Sequence, residues 1–196
     1  MKKSISVLLS SVLLVFALTA CQNSEKSPAF ETLGVIYEDG ATITMDMDQE
    51  AVQKEIKDEP TETEERNGEI SDMWISGRSF SVHYETETPN RVIRIFVLES
   101  EEQNVSTTLG VSKGDSVASM KEKLGELCSV TENSGESDYL YGFQYVEGRY
   151  EMVDVDAAFN ELSDNLENAR LYAVNFSCKD DKIVSIYISD VLADFR

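Results

Sequence analysis

The sequence predicts an α+β protein in which helices pack on one face of a largely antiparallel sheet. Three observations point there. Apolar and polar residues alternate over several short runs, the period-two pattern of half-buried strands. Turn signals such as Asp39-Gly40, Thr88-Pro89-Asn90 and Lys179-Asp180-Asp181-Lys182 separate those runs. The segments with apolar residues at helical spacing are short, and two of them begin at a residue able to cap them.

In chain order, residues 33–38 read as a strand, Asp39-Gly40 as a hairpin turn and residues 42–47 as the returning strand. Asp48 then caps a helix with Val52 and Ile56 on one face, and Pro60 marks its end. Residues 57–68 are acidic and nearly free of apolar side chains, the composition of a loop. Trp74-Ile75 starts a sheet region. Phe80, Val82 and Tyr84 share one strand face, which sends His83 to the other. Residues 92–98, apolar almost throughout, fit a central strand, and residues 99–104 a polar linker. Residues 105–109 open the second half. Asp115 or Ser116 caps a helix carrying Val117, Met120 and Leu124, and Gly125 stands where a left-handed residue ends it. Residues 132–138 read as a loop. Tyr139, Tyr141, Phe143 and Tyr145 alternate on one strand face; Val155, Phe159, Leu162, Leu166 and Ala169 have helical spacing; Tyr172, Val174, Phe176 and Cys178 alternate again; residues 183–189 close the sheet.

The halves match in order. Asp48, Val52 and Ile56 stand at cap, cap+4 and cap+8, as do Ser116, Met120 and Leu124, and each helix is followed by a loop and a closing hairpin. This pattern predicts a degenerate tandem repeat of a helix-plus-hairpin unit, with modules at 33–104 and 105–196.

The amino terminus has a different character. Met1, Lys2 and Lys3 are followed by an apolar stretch over residues 5–20 that ends in Leu18-Thr19-Ala20-Cys21. A basic start, an apolar middle and small residues before the cut are the marks of a secretory signal, and the stretch is short and serine-broken for a spanning helix. The last four residues resemble the lipobox of bacterial lipoproteins. That resemblance implies cleavage between Ala20 and Cys21, diacylglyceryl on the Cys21 thiol, fatty acid on the new amine, and attachment to the extracytoplasmic face of the cell membrane. Residues 1–20 are then a signal peptide and residues 21–32 a polar tether. More than one acyl chain is needed for stable anchoring.

Thr108-Leu109-Gly110-Val111, Gly114-Asp115-Ser116, Met120 and Leu124-Gly125 also resemble a signature of small surface lipoproteins of Gram-positive bacteria. In outline the module is similar to the β-lactamase inhibitory protein and to the small lipoprotein of the outer-membrane barrel-assembly machinery. The first of these implies tandem helix-plus-sheet repeats whose sheet face grips a protein. The chain departs from the signature at Glu126, where proline is usual, in the first half, which has Ile56-Lys57 in place of Leu-Gly, and in the extra segment around residues 155–169. No partner-binding residue carries over.

Residues 1–20 hold two lysines and no acid, so the remainder carries 15 basic and 37 acidic residues, a formal charge of −22 against −20 for the whole chain. Such a surface stays soluble and repels nucleic acid and anionic lipid. Cys128 and Cys178 remain beyond the lipobox; outside the cytoplasm they can pair as a disulfide or stand as two small buried residues.

Candidate chemistry is thin. Gly110-Val111-Ser112-Lys113-Gly114 fits the Gly-x-Ser-x-Gly pattern of a nucleophile elbow, but His83 lies upstream of Ser112, whereas that fold places its histidine last. The bland reading is a glycine-turned loop before a helix. His83 has no His-x-x-His or Cys-x-x-Cys companion for zinc. Asp46-x-Asp48-x-Glu50 and Asp154-x-Asp156 begin like calcium loops and fail at later positions. No catalytic residue, metal or cofactor is therefore expected. The row Tyr139, Tyr141, Phe143 and Tyr145 is either an interaction face or core, since tyrosine serves both. The expected role is a lipid-anchored, non-enzymatic protein- or peptide-binding module. The alternatives are an inhibitor of a surface or secreted enzyme, an envelope-assembly lipoprotein, and, least, a serine hydrolase.

Overall fold

The computed structural model describes residues 29–75, 79–86, 90–99, 104–133, 135–162 and 169–195. The expected signal, the cleavage site at Ala20 and Cys21, and Leu166 lie outside them.

Two β-sheets and three helices form from these residues. Strand β1 is Ala29–Phe30, β2 Gly34–Tyr37 and β3 Thr42–Thr44. Helix α1, Gln49–Ile56, starts where the Asp48 side chain accepts from the Ala51 N–H at 2.8 Å, as the sequence predicts. It stops at Lys57, which is left-handed at φ 64°. Four strands follow: β4 Glu62–Arg66, β5 Glu69–Trp74, β6 Phe80–Glu85 and β7 Val92–Val97. After β8, Val105–Thr107, comes α2, Val117–Leu124, capped by Ser116 through the Ser119 N–H at 3.1 Å. Strands β9 Ser129–Asn133, β10 Glu136–Val146 and β11 Arg149–Val153 precede α3, Val155–Leu162. The last strands are β12 Leu171–Lys179 and β13 Lys182–Asp190, followed by a 3₁₀ turn at Ala193–Phe195.

The large sheet runs β1-β11-β10-β12-β13-β7-β6-β5-β4, with β9 beside β11 on the same side of the long β10, and every pairing is antiparallel. The small sheet is β3-β2-β8. Three pairings cross residue 104: β1 with β11, β2 with β8 and β7 with β13. One continuous core joins both halves. It sits between the inner face of the large sheet and a layer made of α1, α2 and the small sheet. Val52, Ile56, Met120 and Leu124 enter it from the helices, and Tyr84, Phe80, Tyr141, Phe143 and Phe176 from the strands.

Four expectations need correction. Residues 57–68 contain β4, whose five residues are all exposed. It pairs with β5 through a tight turn at Asn67 and Gly68, both with positive φ. Residues 132–133 and 136–138 likewise pair in the β9–β10 hairpin. Both are edge strands held by backbone bonds, so their side chains carry no apolar alternation. Trp74 ends a strand rather than starting one. Finally, α3 does not share the face of α1 and α2. Tyr172 lies in the main core, whereas its neighbour Leu171 packs with Ala158 of α3 in a separate cluster, and adjacent strand residues point to opposite faces. Gly142 permits this close approach: a Cβ there would lie 2.7 Å from the Val153 carbonyl oxygen and 3.0 Å from the Val155 Cβ.

The expected tether also shortens. Ala29 and Phe30 pair with Glu151 and Tyr150 of β11, and the Phe30 ring meets Phe143 edge-on at 5.9 Å.

Candidate functional site: the open face of the sheet

Beyond α3, the outer face of the large sheet carries no helix among the described residues. Alternation decides what it shows. Phe80, Val82 and Tyr84 are buried, so Ser81, His83 and Glu85 point outward and are half-buried. Strand register then lines up one row across seven strands: Met73, Ser81, Phe96, Tyr187, Asn175, Leu140 and Ser129. At a strand spacing of about 4.8 Å the row is about 29 Å long. The next row toward α3 is Ser71, His83, Arg94 and Ser189.

The centre of this face is aromatic. Phe96 and Tyr187 stack at 4.2 Å with 21° between planes, and His83 lies 5.2 Å from Phe96. Polar groups flank it on both sides. His83 Nδ1 is 2.9 Å from Ser71 Oγ and 3.4 Å from Glu69 Oε2, and Nε2 is 3.4 Å from Ser81 Oγ. Arg94 donates to Glu69. Asp138 accepts from Ser177 Oγ at 2.6 Å and from Asn175 Nδ2 at 3.3 Å. Burial lowers the His83 pKa, and the neighbouring Glu69 opposes that shift. Burial thus favours the neutral ring, whose nitrogens are engaged along its edge while the ring packs on Phe96. A neutral aromatic strip bordered by oriented donors and acceptors is the composition of a protein-recognition surface.

The expected tyrosine face is placed differently. Tyr141 and Phe143 are wholly buried in the core. Tyr141 donates its hydroxyl to the Gly125 carbonyl at 3.0 Å, closing the end of α2, and burial raises its pKa well above the usual range. Tyr139 is half-buried with the Lys121 ammonium 5.7 Å from its ring centre. Only Tyr145, 43% exposed and packed on Tyr150 at 5.0 Å, reaches solvent freely. The end of α2 closes over Tyr141 and the Phe30 ring packs on Phe143, so these two are core.

Cys128 and Cys178 are free thiols. Cys178 is buried, its Sγ 3.7 Å from the Phe176 carbonyl, and desolvation pushes its pKa up to about 11. Ser112 bonds Ser106 Oγ at 2.8 Å, and its N–H bonds Asp115 Oδ2 at 2.9 Å. The His83 ring meets residues of β5, β6 and β7 instead. The Gly-x-Ser-x-Gly segment thus works as a turn, with Gly110 and Gly114 at positive φ. Among the described residues no group of three or more His, Cys, Asp or Glu is arranged to hold a metal. A cleft of about 380 Å³ lies beside α1, lined by Gln53, Lys57, Asp58, Glu59, Pro60 and Thr63.

Phe96 and Tyr187 were not singled out from sequence. The signal that could have found them is the outward placement of His83, continued strand by strand. It was hidden by the near-continuous apolar run of residues 92–98, which does not say which side chain faces outward.

No protein-family model matches the chain. No curated protein sequence matches it either. A solved structure, that of an extracellular protein containing a SCP domain from Bacillus anthracis str. Ames, aligns at a TM-score of 0.44 with 12% identity over 78% of this chain. The chain spans about half of that protein, 46% of its length.

Proposed function

We propose that the protein is a lipid-anchored extracytoplasmic lipoprotein that binds a protein or peptide partner across the open face of its sheet, without catalysis. Anchoring is supported by the basic start, apolar stretch and Leu18-Thr19-Ala20-Cys21 box. No helix among the described residues is long and apolar enough to cross a membrane. The observation that carries the binding role is the stacked, half-buried Phe96–Tyr187 pair on the part of the outer sheet face that, among the described residues, lies beyond α3 and carries no helix. A folded protein gains by burying such rings, and leaving them at the surface is what an interaction site requires.

The architecture also supports a tandem-module reading. The order α1, β4, β5, β6, β7 is repeated as α2, β9, β10, β12, β13, with β11 and α3 inserted, and the two meanders join edge to edge through β7 and β13. An edge-to-edge join of this kind makes one wide binding face from two narrow ones.

The test uses a photo-crosslinking phenylalanine analogue at Tyr187 in living cells, with the same analogue at exposed Glu62 as control. A discrete adduct at 187 that disappears with Phe96→Asp supports the reading. Adducts common to both positions, or none at 187, overturn it. Incorporation of a palmitate analogue, abolished by Cys21→Ser, tests the anchor separately.

A further inference from the structure

The chain enters the fold at one defined place. Read backwards from Phe30 to Ala29, β1 runs beside β11 from Tyr150 toward Glu151, that is, toward Val153 and the start of α3. Val153 is also the register partner of Gly142 on β10, and it lines an 80 Å³ cavity together with Leu127, Cys128, Ser129 and Leu140. At Ala29 the described chain therefore points toward the α2–β9 connection. Two large apolar side chains are exposed there, Leu127 at 44% and Val130 at 48%.

Length decides the consequence. Seven residues separate Cys21 from Ala29. Fully extended, that linkage reaches about 28 Å. A compact domain of about 170 residues has a diameter of about 40 Å. The tether is shorter than the body it holds, so the domain cannot turn its far side to the bilayer.

We infer that the α2–β9 connection and the start of β9, with Leu127 and Val130, form a membrane-facing surface that rests on the phospholipid headgroup layer. This inference depends on the lipid-anchor reading of Cys21. Two apolar side chains at the rim suit the boundary between headgroups and acyl chains, where apolar groups gain by shallow burial. The nearby acids Glu126 and Asp154, together with the strong negative charge of the chain, make the surface one for zwitterionic rather than anionic lipid. The open sheet face then runs away from the membrane edge, from Ser129 and Leu140 near the bilayer to Ser81 and Met73 at the far end. A partner reaches it from outside the cell.

The experiment uses the lipidated full-length protein reconstituted into phosphatidylcholine vesicles with brominated acyl chains. Trp74 is the chain's one tryptophan and is buried, so it supplies the background signal. Val130→Trp places a reporter on the inferred surface. Ile75→Trp places one at an exposed position just after β5, toward the other end of the sheet from β9. Flotation with the vesicles confirms anchoring first, and failure to float sinks the anchor and the orientation together. For protein that floats, quenching at Val130→Trp at least twofold above that of the wild type, with none added at Ile75→Trp, is the expected result. Equal quenching at both positions, or more at Ile75→Trp, overturns the orientation while leaving the anchor intact. No added quenching at either position overturns contact with lipid.

Discussion

The carboxyl group of Asp72 lies wholly inside the protein and is held by neutral donors: Gln49 Nε2 and Gln53 Nε2 at 3.0 Å each, and Thr63 Oγ1 at 2.7 Å. These come from α1 and β4, so one side chain of β5 ties a helix and the edge strand to the strand next to that edge. Asp72→Ala removes the acceptor of all three; Gln53 and Thr63 are exposed and can turn to water, so the cost falls mainly on the half-buried Gln49 and on the lost ties, about 1–2 kcal/mol in urea unfolding, with Asp72→Asn recovering part of it. His83 behaves oppositely to a surface histidine. Its folded pKa lies below 6.5 because burial disfavours the charged ring more than Glu69 favours it. At pH below 6.5 the unfolded chain takes up a proton that the folded chain resists, so stability conferred above pH 6.5 is lost as pH falls. Urea midpoints measured from pH 7.5 down to 5 should decline more steeply in the wild type than in His83→Gln. Equal slopes would place the ring in free solvent. The outward direction of His83 was legible from Phe80, Val82 and Tyr84. The role of Asp72 was not, because its donors are distant in sequence and no local pattern announces a buried carboxyl group.

Among the elements, the sequence marked those that bury one face and missed those that bury none. Helices α1 and α2 were visible through Val52, Ile56, Met120 and Leu124 together with their caps Asp48 and Ser116. Strands β4 and β9 were not, since every side chain in them is exposed. Asn67-Gly68 was a usable hairpin signal that the surrounding glutamates obscured. Charged edges of this kind also discourage pairing with other chains. For α3 the apolar spacing was visible but not the side of the sheet it covers, because a helical stripe specifies a buried face and not what lies against it. Gly142 settles that side. Gly142→Ala forces the added methyl against the Val153 backbone and Val155, so α3 must lift from β10 and β12. An overpacked contact of this sort costs about 1–3 kcal/mol. The expected result is faster amide exchange along α3 with unchanged protection of β6 and β7. Slowed or unchanged exchange in α3 would mean that the helix does not depend on this contact.

At the scale of the whole molecule, nothing in the periodicity of either half says that the halves share a core, yet β7 pairs with β13 and β2 with β8 across the midpoint. The charge at this seam makes the union testable. Arg91 precedes β7 and Asp190 ends β13, ninety-nine residues apart in sequence. The Asp190 side chain is fully buried, with Arg91 Nη2 3.1 Å from its Oδ2, and Arg91 also reaches Glu85 at 2.7 Å. Burial works against the Arg91 charge, and the bonds to Glu85 and Asp190 outweigh it. Arg91→Met keeps the apolar stem but removes the guanidinium from a buried carboxylate, which costs about 3 kcal/mol, near the lower end for breaking a buried pair. How that loss is distributed discriminates two pictures of the molecule. Trp74 reports on the first half alone, and far-ultraviolet circular dichroism on both. If the halves are one cooperative unit, the two signals shift together to lower urea in Arg91→Met and remain superimposable. If they are modules that merely touch, the tryptophan and dichroism transitions separate once the seam is weakened. The continuous core predicts superposition, because Trp74, Phe80 and Tyr84 from one half and Tyr141, Val174 and Phe176 from the other lie in a single cluster that cannot lose one side and keep the other dry.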